Sequence, residues 1–430
     1  FRDTLHYDYL GNWEYRPNNS NIEEVLLRKY LTETEGCPSD LVTRAIYKLQ
    51  SESTNHDRNL YGNNQEVYKL LRYGVEATAS AADRYERIHF INWAHPDKNH
   101  FAIAEEVSLT GHHDKRPDIV LYINGIAIGV LELKRSTVSI GDGIRQSVTN
   151  QQPEFIEWFF STIQLVLAGN DTEGLRYGTV GTEEKYFLRW KEDLEDTSQL
   201  QIDKYITRLC RKERLLEIIY DFILFDGGQK KLPRHHQYFG IKAAQEHVRR
   251  REGGIIWHTQ GSGKSIVMVL LAKWILENNP NARVVVLTDR TELDKQIERV
   301  FNDSGEKVKR TTSGEQLMAQ LSQPNPRLIC SLIHKFGKKD VEHFDHFIEE
   351  LKNSPALTYG ELFVFVDECH RTQSGKLHKV MKAMLQHAVF IGFTGTPLLK
   401  SDKQTSLEVF GKYIHTYKFN EAVEDEVVLD

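Results

Sequence analysis

The chain has 430 residues, a formal net charge of −6 at neutral pH, and 40% hydrophobic, 27% charged and 10% aromatic residues. This length suggests two or three domains, and the balance excludes a disordered, collagen-like or coiled-coil chain; no run approaches the ~18 apolar residues of a membrane span, so no membrane association is expected. Four scattered cysteines without a C-x-x-C pair fit a reducing cytoplasm better than a disulfide framework.

The first half of the chain is predicted to form one α/β domain. Residues 1–60 are polar and rich in turn formers. The elements expected after them are a helix at Glu66–Leu71 ending at Gly74, strands within 101–134, a buried helix or strand at 155–168, and helices within 199–225. A break at Asp226-Gly227-Gly228 marks the predicted domain boundary.

Two apolar strands within residues 116–134 flank Asn124-Gly125, a dipeptide that favours a tight hairpin. Asp118 stands at the first strand, and the second strand ends in Glu132-x-Lys134. Glu132 and Lys134 share a face because side chains alternate along a strand. Two carboxylates can hold Mg²⁺, while the lysine would position the attacking water or stabilise developing charge. Alone this signal is weak, since charged residues are common at strand ends.

The register of this hairpin decides whether the two carboxylates can share a metal. An unbulged two-residue turn would place Asp118 opposite Leu131, and Glu132 would point to the other face. A three-residue turn, or a compensating bulge elsewhere in the hairpin, would bring Asp118 and Glu132 to the same face. We therefore expect one of these two irregularities.

In the second half, short apolar strands alternate with helices. Strands are predicted at 255–257, 284–287, 328–333, 362–366 and 388–393, and helices at 264–277 and 292–301. This alternation predicts βαβ units and a parallel sheet.

A phosphate-binding loop is predicted at His258–Ser265, between an apolar strand and a helix. The backbone of this loop would surround the phosphates at Thr259, Gly261, Ser262 and Gly263. Lys264 would reach the β- and γ-phosphates of ATP, and the Ser265 hydroxyl would bind Mg²⁺. His258 stands where the usual pattern has its first glycine.

Two further motifs follow later strands of this half. Asp367 and Glu368 end an apolar strand, where Asp367 would hold Mg²⁺ and Glu368 would activate the water that attacks the γ-phosphate. Thr394-Gly395-Thr396 follows the next strand, and its hydroxyls suit a relay between nucleotide and nucleic acid.

These three motifs, in this order, resemble superfamily 2 helicases and translocases. The resemblance implies a first RecA-like motor domain at residues 226–415, with residues 416–430 starting a second. It also implies that Gln237 reads adenine, although a polar helix-start residue is the alternative. Arg290 would contact a DNA phosphate, which gives position rather than sequence, and Thr394 and Thr396 would couple nucleotide state to DNA.

Pro117-Asp118 with Glu132-x-Lys134 is the signature of PD-(D/E)xK nucleases. Together with the motor motifs, the whole chain resembles the restriction subunit of type I restriction–modification enzymes, the HsdR family. The resemblance implies an N-terminal endonuclease domain with a mixed sheet at residues 1–225. Gln146 matches the glutamine of the family's Gln-x-x-x-Tyr motif, whereas Asn150 replaces its tyrosine.

Glu66 resembles an acid in the family's N-terminal helix. It could support the metal site, and a solvated helix residue is an equally good interpretation.

The resemblance implies ATP-dependent translocation of double-stranded DNA coupled to Mg²⁺-dependent cleavage. It further implies a bacterial or archaeal cytoplasmic complex with methylation and specificity subunits. The chain is expected to be a fragment that hydrolyses little ATP, since the second motor domain supplies an arginine finger. Two alternatives are a stand-alone helicase acting on DNA or RNA with a non-catalytic N-terminal domain, and a non-catalytic DNA-binding scaffold.

Overall fold

The computed structural model describes residues 1–78, 86–192, 200–288, 291–302, 307–332, 346, 348–350, 352–353, 358–369, 382, 385–396 and 410–428. The chain divides into two compact units, residues 1–234 and 235–430. The first unit therefore extends slightly past the turn at Asp226–Gly228, where the boundary was predicted. Residues 416–430, predicted to start another domain, belong to the second unit.

A seven-stranded mixed sheet forms the centre of the first unit. The strands of this unit are β1 (Asp8–Asn12), β2 (Val75–Ala77), β3 (Glu86–Ile88), β4 (Phe101–Glu105), β5 (Ile119–Ile123), β6 (Ile126–Leu133), β7 (Leu165–Asn170), β8 (Gly174–Gly178), β9 (Leu188–Arg189), β10 (Leu224–Asp226) and β11 (Gln229–Lys231). The sheet order is β1-β4-β5-β6-β7-β8-β9. β1 pairs with β4 and β6 with β7 in parallel, and the other neighbours are antiparallel.

Seven α-helices accompany these strands among the described residues of the first unit. They are α1 (Arg2–Leu5), α2 (Glu24–Lys29), α3 (Ser39–Ser53), α4 (Leu60–Tyr73), α5 (Ile140–Asn150), α6 (Gln201–Leu209) and α7 (Lys212–Asp221). α4 confirms the helix predicted to end at Gly74, and the Asn59 side chain caps its first turn by accepting from the Gly62 N–H. α3 was not predicted, although its buried residues have helical spacing.

α5 connects the parallel strands β6 and β7 and covers one face of the sheet. Its apolar residues Ile140 and Ile144 join a buried cluster that contains Val120 and Tyr122 of β5 and Val130 of β6. Each large apolar side chain buried here contributes roughly 1.5–3 kcal/mol. This packing fixes α5 above the ends of β5 and β6, where the predicted acids lie.

The hairpin between β5 and β6 begins with a two-residue turn. Asn124 and Gly125 both have left-handed backbone angles, with φ of 53° and 85°, and Ile123 pairs with Ile126. These angles are those of a type I′ turn. The predicted three-residue turn is therefore wrong.

A bulge further along the same hairpin then shifts the register. Tyr122 pairs with Ala127, but the next residue of β5, Leu121, pairs with Gly129, so Ile128 is an extra residue in β6. Beyond the bulge Ile119 pairs with Leu131, which places Asp118 opposite Glu132. The compensating bulge, the second of the two expected irregularities, is confirmed.

The second unit is built on a fully parallel sheet. Its strands are β12 (Gly254–His258), β13 (Ala282–Thr288), β14 (Val308–Thr311), β15 (Leu328–Leu332), β16 (Glu361–Val366), β17 (Val389–Thr394) and β18 (Tyr413–Tyr417), in the order β14-β15-β13-β16-β17-β12-β18. Every neighbouring pair is parallel. The predicted α/β class, a mixed sheet followed by a parallel sheet, is confirmed.

The helices of the second unit include the two that were predicted. Those with bounds in the described part of this unit are α8 (His235–Arg249), α9 (Lys264–Asn278), α10 (Thr291–Asn302), α11 (Gly314–Leu321) and α12 (Phe419–Glu424). α9 is buried along most of its length, which explains why its sequence is apolar on all sides. Within the described ranges, no helix of either unit is long and apolar enough to cross a membrane.

We expect Gly125→Ala to lower the free energy of unfolding by about 2–4 kcal/mol. An added Cβ would lie 2.8 Å from both the Glu23 carbonyl and the Leu26 Cβ, in addition to the strained φ of 85°. Gly228→Ala is the matched control, since Gly228 has a φ of 86° but no atom within 4 Å of an added Cβ, and should cost about 1 kcal/mol. Urea denaturation of both variants measures the difference, and equal losses would contradict the tight packing of this turn.

Candidate functional site

Asp118 and Glu132 form a carboxylate pair at the ends of β5 and β6. Glu132 is 1% exposed, and Asp118 is half-buried with its Oδ2 accepting from the Leu133 N–H at 2.6 Å. Burial raises the pKa of Glu132 to about 8, and the negative charge of Asp118 adds to this shift while Lys134 opposes it. Two acids so placed resist ionising together, which is the condition that a bound cation relieves.

Gln146 connects the buried acid to the lysine. Its Nε2 donates to Glu132 Oε2 at 2.7 Å, and its Oε1 accepts from Lys134 Nζ at 2.7 Å. Gln146 lies on α5, so the helix packing described above delivers it to the ends of the strands. The structure thus brings together all four residues predicted for the nuclease site: Asp118, Glu132, Lys134 and Gln146.

The chemistry of this group fits a hard divalent cation. Mg²⁺ is commonly held by one or two carboxylates with water completing an octahedron. No group of three or more His, Cys, Asp or Glu residues able to hold a metal occurs among the described residues. Asp118 and Glu132 are the two carboxylates that this group offers to such a cation.

Two other residues of the first unit, considered from the family resemblance, lie apart from this group. Glu66 forms an ion pair with Lys69 on its own helix at 2.8 Å, and it makes no metal-binding cluster with the carboxylate pair in the described ranges. Asn150 is 1% exposed, and neither its Oδ1 nor its Nδ2 has a hydrogen-bond partner in the described part of the chain. Asn150 thus lies in the buried face of α5.

In the second unit, the predicted phosphate loop connects β12 to α9. Gly261 and Gly263 have φ of 83° and 86°, and a Cβ on Gly263 would come within 2.3 Å of Gln237 Nε2, so only glycine fits there. Ser262 closes the loop through its Oγ, which donates to the Thr259 carbonyl at 2.6 Å. The loop is attached to β18 by the Thr259 N–H, which donates to the Tyr417 carbonyl at 2.9 Å.

Lys264 is the first residue of α9 and is directed back under the loop. It is 5% exposed, and its Nζ donates to the His258 carbonyl at 3.3 Å. Ser265 follows it in the first turn of the helix and is half-buried. Backbone N–H groups and an ammonium at a helix N-terminus form an anion-binding arrangement.

The Asp367-Glu368 motif lies at the carboxyl end of β16, at the same sheet edge. Asp367 Oδ2 accepts from the Thr288 hydroxyl at 3.2 Å, and its Oδ1 accepts from the Glu368 N–H at 3.1 Å. Glu368 is 8% exposed and has a φ of 49°. A non-glycine residue in this region is strained, and such strain is concentrated at functional sites.

The Thr394-Gly395-Thr396 motif lies against the lysine of the phosphate loop. A Cβ placed on Gly395 would be 2.8 Å from Lys264 Nζ. The Thr394 hydroxyl donates to the Thr396 carbonyl and accepts from the Thr396 N–H, at 3.1 and 3.3 Å. The parallel sheet therefore places all three sequence motifs at one edge.

The sequence analysis did not predict some of the buried residues that support the phosphate loop. Beside Gln237, whose Nε2 donates to the Ser262 carbonyl at 3.0 Å, the ring of His236 contacts the same carbonyl at 2.9 Å. His258 is fully buried with its Nε2 2.8 Å from His415 Nδ1. Burial, and then the neighbouring histidines and Lys264, lower the pKa of His258 well below its usual value, so it is neutral at pH 7. Arg290, predicted to contact DNA, lies outside the described residues.

Comparison with known families gives two matches, one for each unit. Residues 1–185 match the model described as the N terminus of type I restriction enzyme R protein, and residues 236–430 match the SWI2/SNF2 ATPase. This chain is a relative of type I restriction endonuclease subunits.

Among similar proteins, the HindI endonuclease subunit of Haemophilus influenzae is 30% identical over 89% of this chain and 39% of its own length. The SauMSSORF170P endonuclease subunit of Staphylococcus aureus is 27% identical over 77% of this chain and 36% of its own. The chain thus spans less than half the length of these type I relatives.

Among solved structures, the SWI2/SNF2 ATPase core of Sulfolobus solfataricus aligns with a TM-score of 0.34 and 11% identity, covering 48% of this chain and 40% of that one. The strand order of the second unit, and not this weak likeness, defines its fold.

We expect Glu132→Gln to stabilise the metal-free chain at high pH. Because burial raises the pKa of Glu132 from 4.5 to about 8, the folded state holds a proton that the unfolded state releases. The contribution of this group to the free energy of unfolding is therefore greatest below pH 4.5, and it decreases as the pH rises to about 8. The variant should be about 2–4 kcal/mol more stable than wild type above that pH and equal to it in acid.

Urea denaturation in the presence of a chelator, at several pH values, tests this expectation. Glu213→Gln is the control, because that side chain is 66% exposed and should change stability little at any pH. A Glu132→Gln variant whose stability advantage is the same at every pH would refute the burial argument.

Proposed function

We propose that this chain is the nuclease and first motor portion of a type I restriction subunit. In this function, ATP-driven translocation of double-stranded DNA is coupled to Mg²⁺-dependent cleavage. The observation that carries the proposal is the buried Glu132 held between Asp118 and Gln146, in one chain with a phosphate loop on a parallel sheet. The family matches over both units support the same assignment.

In the nuclease site, Asp118 and Glu132 would bind Mg²⁺. When bound, the cation would polarise the scissile phosphate and acidify a water molecule. Lys134 would either orient that water or stabilise charge developing on the phosphate, and Gln146 keeps its ammonium beside the acids. The Leu133 N–H fixes Asp118 so that one oxygen remains directed toward its partner.

In the motor site, the phosphate loop would bind the phosphates of ATP. Lys264 would neutralise the β- and γ-phosphates, and Ser265 and Asp367 would hold the Mg²⁺ that accompanies the nucleotide. Glu368 would accept the proton of the attacking water. Gln237 would read adenine while its Nε2 supports the loop. Thr394 and Thr396, next to Lys264, would relay the nucleotide state to DNA held in part by Arg290.

The partners in this function would be double-stranded DNA and the methylation and specificity subunits of the restriction complex, acting in the cytoplasm of a bacterium or archaeon. A stand-alone helicase would leave the carboxylate pair without a role. A non-catalytic scaffold would leave both sites without one. Neither alternative accounts for an acid buried with a raised pKa at the end of a strand, an arrangement that costs stability and is characteristic of functional sites.

Asp118→Ala is expected to abolish cleavage while leaving ATP hydrolysis unchanged. Without Asp118, Glu132 alone would hold the metal, and loss of charge stabilisation at a phosphate commonly costs about 10²–10³ in rate. The measurement is DNA cleavage and ATPase activity of the full-length subunit assembled with its partner subunits. Asp57→Ala, an exposed acid in the same unit, is the control, and cleavage retained by Asp118→Ala would refute the site.

Glu368→Gln is expected to retain ATP binding but to slow hydrolysis by about 10²-fold or more, because an amide cannot accept the proton of water.

Lys264→Ala should instead abolish translocation and the cleavage that depends on it, since the γ-phosphate loses its main positive partner. Nucleotide affinity and turnover in the assembled enzyme separate the two variants, with the exposed Glu349→Gln as control. Wild-type turnover by Glu368→Gln would remove Glu368 from the mechanism.

A further inference from the structure

The bulge in β6 is held by hydrogen bonds from the segment that precedes β7. The carbonyl of Ile128, the extra residue, accepts from the Gln164 N–H at 2.7 Å. The carbonyl of Ala127 accepts from the Thr162 hydroxyl, also at 2.7 Å. Ala127, Ile128, Thr162 and Gln164 are all 0% exposed, so water cannot replace these donors.

A buried lysine from a distant hairpin holds that segment in turn. Lys230 of β11 is 6% exposed, and its Nζ donates to Gln164 Oε1 at 2.6 Å and to the Ile163 carbonyl at 3.3 Å. The other side-chain atom of Gln164, Nε2, donates to the Thr162 carbonyl at 2.8 Å. The Lys230 amino group is therefore connected through Gln164 to both donors at the bulge.

Asn64 of α4 completes the network. Its Oδ1 accepts from Lys230 Nζ at 2.7 Å, and its Nδ2 donates to the carbonyls of Phe160, Ser161 and Ile163 at 2.8–3.1 Å. The backbone of residues 160–164 is thus fixed by side chains from α4 and β11, while the Gln164 N–H and the Thr162 hydroxyl donate to β6.

We propose that Lys230, acting through Gln164 and Thr162, is a positioning residue that holds the Ile128 bulge and thereby keeps Glu132 opposite Asp118. This inference rests on the proposed nuclease function. It gives a role to the hairpin of β10 and β11, which the sequence placed at a domain boundary.

The local sequence does not choose this register. Asn124-Gly125 makes its two-residue turn whether or not β6 is bulged, and residues 126–131 are apolar or glycine at every position. Without the bulge, Leu131 and Gly129 would face α5 in place of Glu132 and Val130. Because a one-residue slip moves every side chain to the other face, a specific set of bonds is needed to exclude the slipped hairpin.

A buried lysine suits this task better than it suits general stabilisation. Burial lowers the pKa of Lys230 well below its usual value, and the three oxygen acceptors around Nζ offset part of that cost. Buried ionic groups are weak evidence for stability, and fixing a register is their best-attested use.

The test compares Thr162→Val, which exchanges only the hydroxyl for a methyl group, with Thr162→Ser, which keeps it. Lys230→Met removes the ammonium. The first measurement is amide hydrogen exchange at Leu133 in the 430-residue chain, because the Leu133 N–H reaches Asp118 only in the bulged register. The second is the Mg²⁺ dependence of cleavage by the full-length subunit in its complex.

Thr162→Val and Lys230→Met should each speed Leu133 exchange and raise the half-saturating Mg²⁺ concentration by about 10–100-fold, the usual effect of losing a partner that orients a metal ligand. ATP hydrolysis should be unchanged, and Thr162→Ser should restore wild-type behaviour. Tyr177→Phe, which loses a buried hydroxyl that donates to the Pro233 carbonyl in the same unit, should change neither readout.

Folded Lys230→Met with wild-type Leu133 exchange and Mg²⁺ dependence would overturn the role of Lys230. If that variant does not fold, Thr162→Val and Thr162→Ser decide the question, and equal values for the two would overturn the proposal. If the wild-type enzyme cleaves no DNA, the proposed function fails, whereas Leu133 exchange still reports whether the network holds the register.

Discussion

The chemistry of the first unit depends on one extra residue in β6. Ile128 shifts the pairing so that Glu132 lies opposite Asp118, and every other feature of the proposed nuclease site follows from that placement. The same face of the sheet then presents Val130 and Val120 to α5, and α5 brings Gln146 between Glu132 and Lys134. Packing and chemistry thus use one register, because the side chains of a strand cannot change face independently.

The second unit gathers its motifs by a simpler rule. In a parallel sheet all strands end at the same edge, so Lys264 after β12, Asp367 after β16 and Thr394 at the end of β17 meet without any special device. His258, in place of the usual glycine, is accommodated because its ring is buried against His415 and remains neutral. A neutral imidazole does not compete with Lys264 for an anion.

Several of these arrangements lower stability, and their locations indicate function. Glu132 is an acid buried with a raised pKa, Glu368 has a strained backbone, and Lys230 has a buried amino group with a lowered pKa. Each would be destabilising in isolation, and each is held by partners from several elements. The surrounding cores offset these costs, since both sheets are covered by buried apolar residues.

The sequence by itself determined the α/β class, the strands and helices that carry the motifs, and the acids and loop residues at their ends, because periodicity and turn chemistry act over a few residues. It also predicted that the hairpin between β5 and β6 contains an irregularity, but it did not decide between a three-residue turn and a bulge. It placed the β10–β11 hairpin at a domain boundary. Only the tertiary structure decided the bulge at Ile128, because the hydrogen bonds that hold it come from distant parts of the chain. Thr162 is 35 residues away from Ala127, whose carbonyl it binds. Lys230, which acts through Gln164, is 66 residues beyond Gln164. The support of the phosphate loop by His236, and of Asp367 by Thr288, has the same origin. Such contacts leave no local pattern, since they depend on which distant segments the folded core brings together.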